Sequence, residues 1–410
     1  MPPKGLLRVV VVGAGSIGRE FALEHLTASA GVMVSAIVDL DAVAASTLAA
    51  DVGSTEVGET VVHATSLTDD VLQGCDAVYI GTTPSSHLPL VERALAAEKH
   101  VLLEKPLASH ADDADRIVAV AERAASRGIH LSVNIGMRYN EALHQMRRLA
   151  LEQDALGGEV ESARLGLHFA QWPREWQQVA WCAGRTDGGP LREVGTHFLA
   201  AIHELWGSEC VRRVRAAVEY GDGETKAETS VDGTIELWSG VPILLSVTTD
   251  GSISGTSADS YELELVGPGG AKALLLDEFT SLRQVRPRRR TIVQSSEYGR
   301  KECVANLVAA AAGRSATGSG SCDRGGVAPS RPGQLKRGPR QGAPSASIKK
   351  RTRRSEMDGH GQEEAVPGSE QTWGRLGLPA AVTARDGRNA QRVLDAILRS
   401  GGHWVEVSYG

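Results

Sequence analysis

A glycine-rich loop near the N-terminus is the feature that most constrains this fold. The residues Gly13-Ala14-Gly15-Ser16-Ile17-Gly18 lie between the apolar run Arg8–Val12 and a helical pattern over Ile17–Thr27. In such a strand–loop–helix unit, the first glycine permits a tight turn, the second admits a pyrophosphate, and the third lets helix and strand pack closely. The helix N-terminus adds free N–H groups that favour an anion. The loop therefore predicts a dinucleotide site formed by Gly13, Gly15, Ser16, Ile17 and Gly18.

Short apolar runs alternate with longer amphipathic stretches over the first third of the chain. Strands that alternate with helices indicate βαβ units, and hence a parallel sheet covered on both faces. Six strands are also the number expected of a complete dinucleotide-binding fold. We therefore predict an α/β, doubly wound Rossmann domain over residues 5–135, with strands at Arg8–Val12, Val32–Val38, Val61–Ala64, Ala77–Ile80, His100–Leu103 and Ile129–Val133.

The pattern changes in the second part of the chain, where strand-like runs follow one another through turns rich in Gly and Asp. Only one helical segment, Leu191–Leu205, interrupts these runs, so we predict a largely antiparallel sheet. The expected unit is an α+β domain of residues 136–313 and 378–410, with an open sheet face. Its predicted strands are Val160–Phe169, Val211–Tyr220, Thr229–Trp238, Ile243–Thr249, Tyr261–Val266 and Ala271–Leu276, followed by a helix at Asp386–Arg399 and a last strand at Trp404–Val407.

Residues 314–377 fit neither pattern. From Arg314 to Arg354 there are 11 Lys and Arg residues and one acidic residue, Asp323, among many Gly, Ser and Pro. A segment this polar buries too little surface to offset its ordering entropy, so we predict a disordered insert. Three interpretations are open: a disordered loop, a segment that binds nucleic acid or a partner, and a stretch that the mature protein lacks.

Composition and charge exclude several classes of protein. The net charge of −6 gives no support to nucleic acid as a partner, and the basic stretch 314–354 is the only hint of one. Five scattered cysteines without a CxxC pair argue against a disulfide framework or a metal site. The run Leu6–Val12 is too short to span a membrane. We therefore expect a cytoplasmic protein with no membrane partner and no metal.

Polar residues follow two other strands at the edge that would carry the glycine loop. Asp39 ends the second strand, where a carboxylate would accept hydrogen bonds from an adenosine ribose and repel a 2′-phosphate. The carboxylate of Asp39 favours NAD as the cofactor, and NADP is the alternative. The alternative is that Asp39 or Asp41 only caps the next helix. After the fourth strand, we expect Thr82, Thr83, Pro84 and His87 to border the cofactor, with no catalytic role for His87.

A charged tripeptide, Glu104-Lys105-Pro106, closes the fifth strand. Pro106 keeps Lys105 out of helical geometry, and a lysine beside a nicotinamide ring could hydrogen-bond a substrate hydroxyl and help to move its proton. A surface Glu–Lys pair is an equally good interpretation of the tripeptide alone. Glu193 and His197 lie four residues apart on the predicted helix, so they share a face on which a carboxylate can orient an imidazole.

These motifs together resemble the Gfo/Idh/MocA family of NAD(P)-dependent oxidoreductases, over about residues 5–313 and 378–408. That family combines a Rossmann domain, an E-K-P tripeptide and a D-x-x-x-H helix in an α/β second domain. The resemblance implies that Lys105 and His197 carry the proton transfer, that the acid at position 193 positions substrate and histidine, and that Glu104 and Lys105 border the cofactor. The chain departs from the family at Glu193, where Asp is usual, and in the long insert.

The resemblance also implies a sugar, polyol or related cyclic alcohol as the small-molecule substrate. The expected substrate residues are Arg138 and Tyr139, after the sixth strand, and Trp172, Trp176, Trp181 and Arg185, just before the predicted catalytic helix. The tryptophans could form a substrate lid, since indole faces stack on sugars, or pack the sheet edge or a dimer contact. Arg174 or Arg185 could recognise an anionic group on the substrate. A homodimer or homotetramer through the open sheet is expected.

A second class of function fits the same fold. A catalytically silent NAD(P)-binding regulator, similar to the yeast galactose-pathway repressors, would bind the cofactor without turnover. Such a protein has no need of the lysine and histidine, and this chain has both Lys105 and His197. The sequence therefore favours a dehydrogenase or reductase that acts on CH–OH groups.

Overall fold

The computed structural model describes residues 6–53, 60–152, 155–251, 258–295, 298–313 and 380–410. The predicted insert, residues 314–377, lies outside the described residues, as does Cys322. The other four cysteines, Cys75, Cys182, Cys210 and Cys303, are free thiols. No helix in these described segments is long and apolar enough to cross a membrane.

The first sheet has six parallel strands in the order β3-β2-β1-β4-β5-β6. This architecture confirms the predicted doubly wound Rossmann sheet. The strands are β1 (Leu7–Val12), β2 (Val32–Val38), β3 (Val62–Ala64), β4 (Ala77–Ile80), β5 (His100–Leu103) and β6 (Leu131–Val133). The helices between them are α1 (Ser16–Glu20) with a π-helical continuation (Phe21–Leu26), α2 (Ala42–Val52), α3 (Asp69–Gln73), α4 (His87–Ala96) and α5 (Ala111–Ala125).

The strand order places the candidate site. β1 and β4 are neighbours and every residue of β4 is buried, as the apolar runs predict. The chain leaves β1 towards β2 on one side and later returns to β4 on the other, so the order reverses between these two strands. In open α/β sheets, ligands bind in the crevice at the carboxyl ends of such strands. The glycine loop after β1 and the segment after β4 flank this crevice.

The second sheet has nine strands in the order β14-β13-β12-β11-β7-β10-β9-β8-β15. Only the β7–β10 pair is parallel among the pairings of these strands, so the sheet is largely antiparallel as predicted. The strands are β7 (Ser162–His168), β8 (Val211–Tyr220), β9 (Glu228–Leu237), β10 (Pro242–Thr248), β11 (Ser260–Val266), β12 (Ala273–Asp277), β13 (Ser281–Arg286), β14 (Arg290–Gln294) and β15 (Val405–Glu406).

Two strands and one helix of this part were not predicted from the sequence. The strands β13 and β14 read Ser-Leu-Arg-Gln-Val-Arg and Arg-Thr-Ile-Val-Gln, and their many polar side chains hide the apolar alternation. The helix α6 (Glu141–Arg147) starts at Asn140, whose side chain accepts hydrogen bonds from Ala142 N and Leu143 N. It is followed by a π-helical segment, Arg148–Glu152.

The predicted catalytic helix comprises a π-helical turn, Leu191–Gly195, and α7 (Thr196–Trp206). Two more helices, α8 (Arg300–Ala311) and α9 (Ala384–Arg399), complete this part of the chain. The side chain of Thr383 caps α9 in a reciprocal capping box with Asp386. The last strand, β15, pairs with β8, which confirms that the C-terminus rejoins the second sheet.

Candidate active site

The glycine loop has the geometry that a dinucleotide requires. Gly13 has φ of +101°, and a Cβ atom there would lie 2.6 Å from the carbonyl oxygen of Gly81. A Cβ atom at Gly18 would collide with the backbone of Gly13, so the helix packs directly on the turn. By contrast, a Cβ atom at Gly15 would meet nothing within 4 Å, which leaves an open side for a pyrophosphate. Ser16 and Ile17 form the first helical turn, which has no side-chain cap.

Asp39 lies beside this loop. Its Oδ2 atom accepts a hydrogen bond from Ala14 N at 2.7 Å, and its Oδ1 atom accepts one from Asp41 N at 2.9 Å. Asp41 is the residue that caps α2, through Val43 N and Ala44 N. The expectation that Asp41 caps this helix is therefore confirmed, whereas Asp39 is not the cap. The carboxylate of Asp39 is fixed at the edge of the loop, where a ribose would lie.

The segment after β4 packs against the glycine loop through Thr82, whose methyl group lies near Gly13. Thr83 and Pro84 begin a 3-10 turn. His87 is fully buried, with Nδ1 3.2 Å from the Leu107 carbonyl oxygen and Nε2 3.1 Å from that of Thr82. Burial lowers the pKa of His87. The prediction that His87 touches the cofactor needs correction, because the ring is enclosed and braces two loops instead.

Glu104 is also enclosed. Its Oε1 atom accepts a hydrogen bond from Tyr79 Oη at 2.8 Å and another from the amide of Asn134. Burial raises the pKa of the Glu104 carboxyl, while the charge of Lys105 opposes that rise. Glu104 therefore anchors the end of β5 to its neighbouring strands, and Lys105 projects beyond it. The peptide bond between Lys105 and Pro106 is cis.

Lys105 and Glu193 meet although 88 residues separate them. The Nζ atom of Lys105 donates a hydrogen bond to the backbone oxygen of Glu193 at 3.0 Å and lies 3.5 Å from its Oε2 atom. Glu193 is almost fully buried. The structure therefore brings the E-K-P lysine from the first sheet to the helix from the second part of the chain.

His197 lies one helical turn beyond Glu193 and is also buried. Its Nδ1 atom is 2.7 Å from the phenolic oxygen of Tyr298, and the ring of Phe279 packs edge-on against the imidazole. Burial, followed by the charges of Lys105 and Arg174, holds the pKa of His197 well below its usual range. The imidazole is thus neutral near neutral pH, with one ring nitrogen that carries no proton.

The predicted substrate residues divide between the site and its surroundings. Trp172 donates from Nε1 to the Cys182 carbonyl at 3.0 Å and packs edge-on against Phe169, so it is a packing residue. Trp176 is 59% exposed and lies under the guanidinium of Arg174, 4.5 Å from the ring centre. Trp181 is half-buried.

Three other predicted substrate residues have structural partners of their own. Arg138 forms an ion pair with Glu204 at 3.0 Å, and Tyr139 is buried and accepts a hydrogen bond from Asn306 at 3.1 Å. Arg185 lies on the ring of Tyr220, at 3.6 Å from its centre. None of these contacts involves Lys105, Glu193 or His197. That Arg138, Tyr139 and Arg185 contact the substrate therefore stays a prediction.

Sequence analysis missed three residues that complete the arrangement. Gln177 donates to Glu193 Oε2 at 2.7 Å, and Tyr298 holds His197. Asp187 accepts hydrogen bonds from Ser85 N at 2.9 Å and Ser85 Oγ at 2.8 Å, and so ties the segment before the catalytic helix to the segment after β4. Only Gln177 carried a signal, since it is a polar residue within the tryptophan-rich stretch.

Comparison with known proteins identifies the first sheet. Residues 7–133 match the family model described as "Oxidoreductase family, NAD-binding Rossmann fold", the Gfo/Idh/MocA model. Residues 7–133 therefore form an NAD-binding Rossmann domain of the Gfo/Idh/MocA family. It is 28% identical over 261 residues to 1,5-anhydro-D-fructose reductase of Ensifer adhaerens, which is 63% of this chain and 74% of that protein.

A second relative matches a shorter stretch. The chain is 37% identical over 143 residues to dTDP-3,4-didehydro-2,6-dideoxy-alpha-D-glucose 3-reductase of Streptomyces violaceoruber, which is 35% of this chain and 39% of that protein. This alignment therefore spans about two fifths of that relative's length. A third relative, inositol 2-dehydrogenase of Corynebacterium glutamicum, is 30% identical over 162 residues, which is 40% of this chain and 45% of that protein.

Solved structures share the fold of this chain. GenD2 from gentamicin A biosynthesis, in complex with NAD, matches with a TM-score of 0.66 at 20% identity, over 98% of this chain and 97% of that one. KijD10, a 3-ketoreductase from Actinomadura kijaniata in complex with NADP and TDP-benzene, matches with a TM-score of 0.62 at 22% identity, over 75% of this chain and 90% of that one. Both matches show the fold alone.

Proposed function

We propose that this chain transfers a hydride between a nicotinamide cofactor and a secondary alcohol or carbonyl carbon of a sugar, polyol or related cyclic alcohol. One observation carries the proposal: Lys105 at the end of β5 meets Glu193 at 3.0 Å, one helical turn before His197. Two motifs that are far apart in the sequence thus form one cluster of proton-handling groups, at the edge of the sheet that carries the glycine loop.

Each residue of the cluster has a chemical role in this proposal. Neutral His197 takes the hydroxyl proton during oxidation and returns it during reduction. Its Nδ1 atom is held by Tyr298, so Nε2 is the nitrogen that exchanges the proton. Lys105 takes part in the same proton exchange: its uncharged amine can accept the hydroxyl proton, and as an ammonium it donates a hydrogen bond to the substrate oxygen. Glu193 positions Lys105 and orients the substrate.

The residues at the glycine loop fit a dinucleotide. Gly13, Gly15 and the first turn at Ser16 would hold the pyrophosphate, and Asp39 the adenosine ribose. The cofactor, when bound, supplies the hydride acceptor or donor. Because a carboxylate at Asp39 repels a 2′-phosphate, we propose NAD as the preferred cofactor.

The substrate class rests on the relatives. Their names describe an anhydrosugar reductase, a nucleotide-sugar 3-reductase and an inositol 2-dehydrogenase, all of which act on sugars or a cyclic polyol. We extend this class to the present chain, with Trp176 as the exposed aromatic ring closest in sequence to the catalytic helix. A ring of this kind stacks against the C–H face of a sugar.

Purified protein tests the proposal directly. NAD⁺ and NADP⁺ reduction is measured with myo-inositol, D-glucose and 1,5-anhydro-D-glucitol, and NADH oxidation with 1,5-anhydro-D-fructose. We expect turnover of at least one compound, and we expect Lys105→Met to abolish that turnover. Tight NADH binding without turnover of any compound in the panel would instead favour the silent regulator.

We also propose a homodimer or homotetramer. Leu244 on β10 and Trp238 in the turn that follows β9 are exposed, although both are large apolar residues. Burying such side chains against a second copy of the sheet removes apolar area from water. Light scattering on the purified protein gives the mass in solution, and a monomer at micromolar concentration would contradict this assignment.

A further inference from the structure

A line of polar contacts leads from the tryptophan-rich loop to the candidate catalytic lysine. The guanidinium of Arg174 donates to Oε1 of Gln177 from Nε at 3.0 Å and from Nη2 at 2.7 Å. The Nε2 atom of Gln177 then donates to Oε2 of Glu193 at 2.7 Å. That same carboxylate oxygen lies 3.5 Å from Nζ of Lys105.

The orientation of the Gln177 amide follows from its two neighbours. A guanidinium only donates hydrogen bonds and an ionised carboxylate only accepts them. The amide oxygen must therefore face Arg174, and the amide nitrogen must face Glu193. Both Gln177, 7% exposed, and Glu193, 6% exposed, are shielded from water, so competition from solvent for these contacts is weak.

Gln177 is held from the loop side as well. It ends the 3-10 turn Glu175–Gln177, and the cation of Arg174 is stacked above Trp176 and lies 5.7 Å from the ring centre of Trp172. Trp172 is itself fixed to the Cys182 carbonyl. The amide thus reaches Glu193 from a braced loop, with its position set before any substrate arrives.

The distances show a competition for one carboxylate oxygen. Oε2 of Glu193 is at full hydrogen-bond distance from Gln177 but 0.8 Å farther from Lys105, whose short contact is to the backbone oxygen instead. A nearby carboxylate favours the charged form of an amine, and more so at shorter distance in a shielded site. The amide therefore competes with the Lys105 ammonium for this carboxylate oxygen.

We propose that Gln177 is a positioning residue that keeps the Glu193 carboxylate from closing into a tight ion pair with Lys105, so that Lys105 stays available to exchange a proton with the substrate. The inference deepens the proposed function and rests on it for the role of Lys105. It also gives a reason why this chain functions with the longer Glu at position 193, whose carboxylate spans Lys105 and Gln177 together.

Chemical labelling of Lys105 tests this inference without any substrate. Lysine amines react with acetic anhydride only in the uncharged form, and peptide mass spectrometry reports the rate at each lysine. Lys105 is read at one fixed pH relative to exposed Lys226 in the same sample. In Gln177→Leu, Glu193 is free to close on Lys105, so we expect relative labelling of Lys105 to fall about fivefold.

The direction of the change separates positioning from simple loosening. A variant that only loosened the loop would expose Lys105 and speed its labelling. Arg174→Met, which leaves the Gln177 amide free to turn, is the second variant and should also slow the labelling. Exposed Gln171 in the same loop provides the matched control, and Gln171→Leu should label as the unaltered protein does. Faster or unchanged labelling in both Gln177→Leu and Arg174→Met overturns the inference.

Kinetics give a second, independent arm. With a substrate found by the panel, Gln177→Leu should lower kcat about tenfold with KM nearly unchanged. In a Glu193→Gln background, where the carboxylate is gone, the same substitution should change kcat less than about twofold. Absence of turnover in the unaltered protein refutes the proposed function while the labelling result stands. Turnover with additive effects of the two substitutions refutes the role of Gln177.

Discussion

The Nδ1 atom of His197 lies 2.7 Å from the phenolic oxygen of Tyr298, a residue 101 positions further along the chain. Burial raises the pKa of Tyr298 well above its usual value, so the phenol keeps its proton. Burial lowers the pKa of His197 well below its usual value, so the imidazole is neutral as well. A single hydrogen bond between two neutral groups therefore fixes the ring of the candidate catalytic histidine.

Tyr298→Phe removes this hydrogen bond and keeps the ring. The buried Nδ1 atom then has no partner in that direction, at a cost of roughly 1–3 kcal/mol in the free energy of unfolding. We expect kcat to fall about tenfold, since the imidazole is no longer held in one orientation. Steady-state kinetics and urea denaturation measure the two effects. Tyr220→Phe, which loses a 3.3 Å bond to the Leu398 carbonyl, is the matched control and should leave kcat unchanged.

Substitutions of Lys105 distinguish a role for its positive charge from a role in proton transfer. Lys105→Arg keeps a cation, but a guanidinium does not give up its proton, so it cannot exchange one with the substrate. Both Lys105→Arg and Lys105→Met should therefore lower kcat by about 10²-fold or more, with NADH binding retained in fluorescence titrations. The ammonium of Lys99 contacts the Cys75 carbonyl at 2.9 Å, and Lys99→Met should behave as the unaltered protein does. Full activity in Lys105→Arg would show that the charge alone suffices.

Asp39 should decide the choice between the two nicotinamide cofactors. Asp39→Asn keeps an oxygen that can accept from Ala14 N but removes the charge that repels a 2′-phosphate. The ratio of kcat/KM for NAD⁺ over NADP⁺ should fall about tenfold. Asp41→Asn, at the cap of α2, should leave this ratio as it was. Equal ratios in the two variants would argue against Asp39 as the selecting residue.

The parts that sequence analysis predicted are those with local signals. The fully buried strand β4 and the Val9–Val12 part of β1 appear in the sequence as continuous apolar runs, and Gly13 and Gly18 are required by backbone contacts that a short motif encodes. Gln177 and Tyr298 act through hydrogen bonds to Glu193 and His197, which lie 16 and 101 positions away in the sequence. Their roles depend on how separate segments meet, and no local pattern expresses that. The prediction that His87 contacts the cofactor was wrong because the same polar motif is compatible with a buried histidine that joins two loops and with an exposed one that binds a ligand.

The fold should lose stability in mild acid through His203. This residue is buried on α7, and its ring lies edge-on to Tyr409, 6.2 Å between ring centres. Burial lowers its pKa to about 4, with the charge of Asp386 opposing the shift. The unfolded chain therefore binds a proton below about pH 6.5, whereas the folded chain does not until about pH 4.

Because the unfolded state binds the extra proton, the free energy of unfolding must fall as the pH drops through this window. The His203 contribution between pH 7 and pH 5 is about 2 kcal/mol. His203→Phe, which cannot be protonated, should lose that much less stability than the unaltered protein over the same interval in urea denaturation. His403→Gln changes an exposed histidine and should leave the pH dependence intact. Equal acid sensitivity of His203→Phe and the unaltered protein would mean that His203 is protonated in the folded state too.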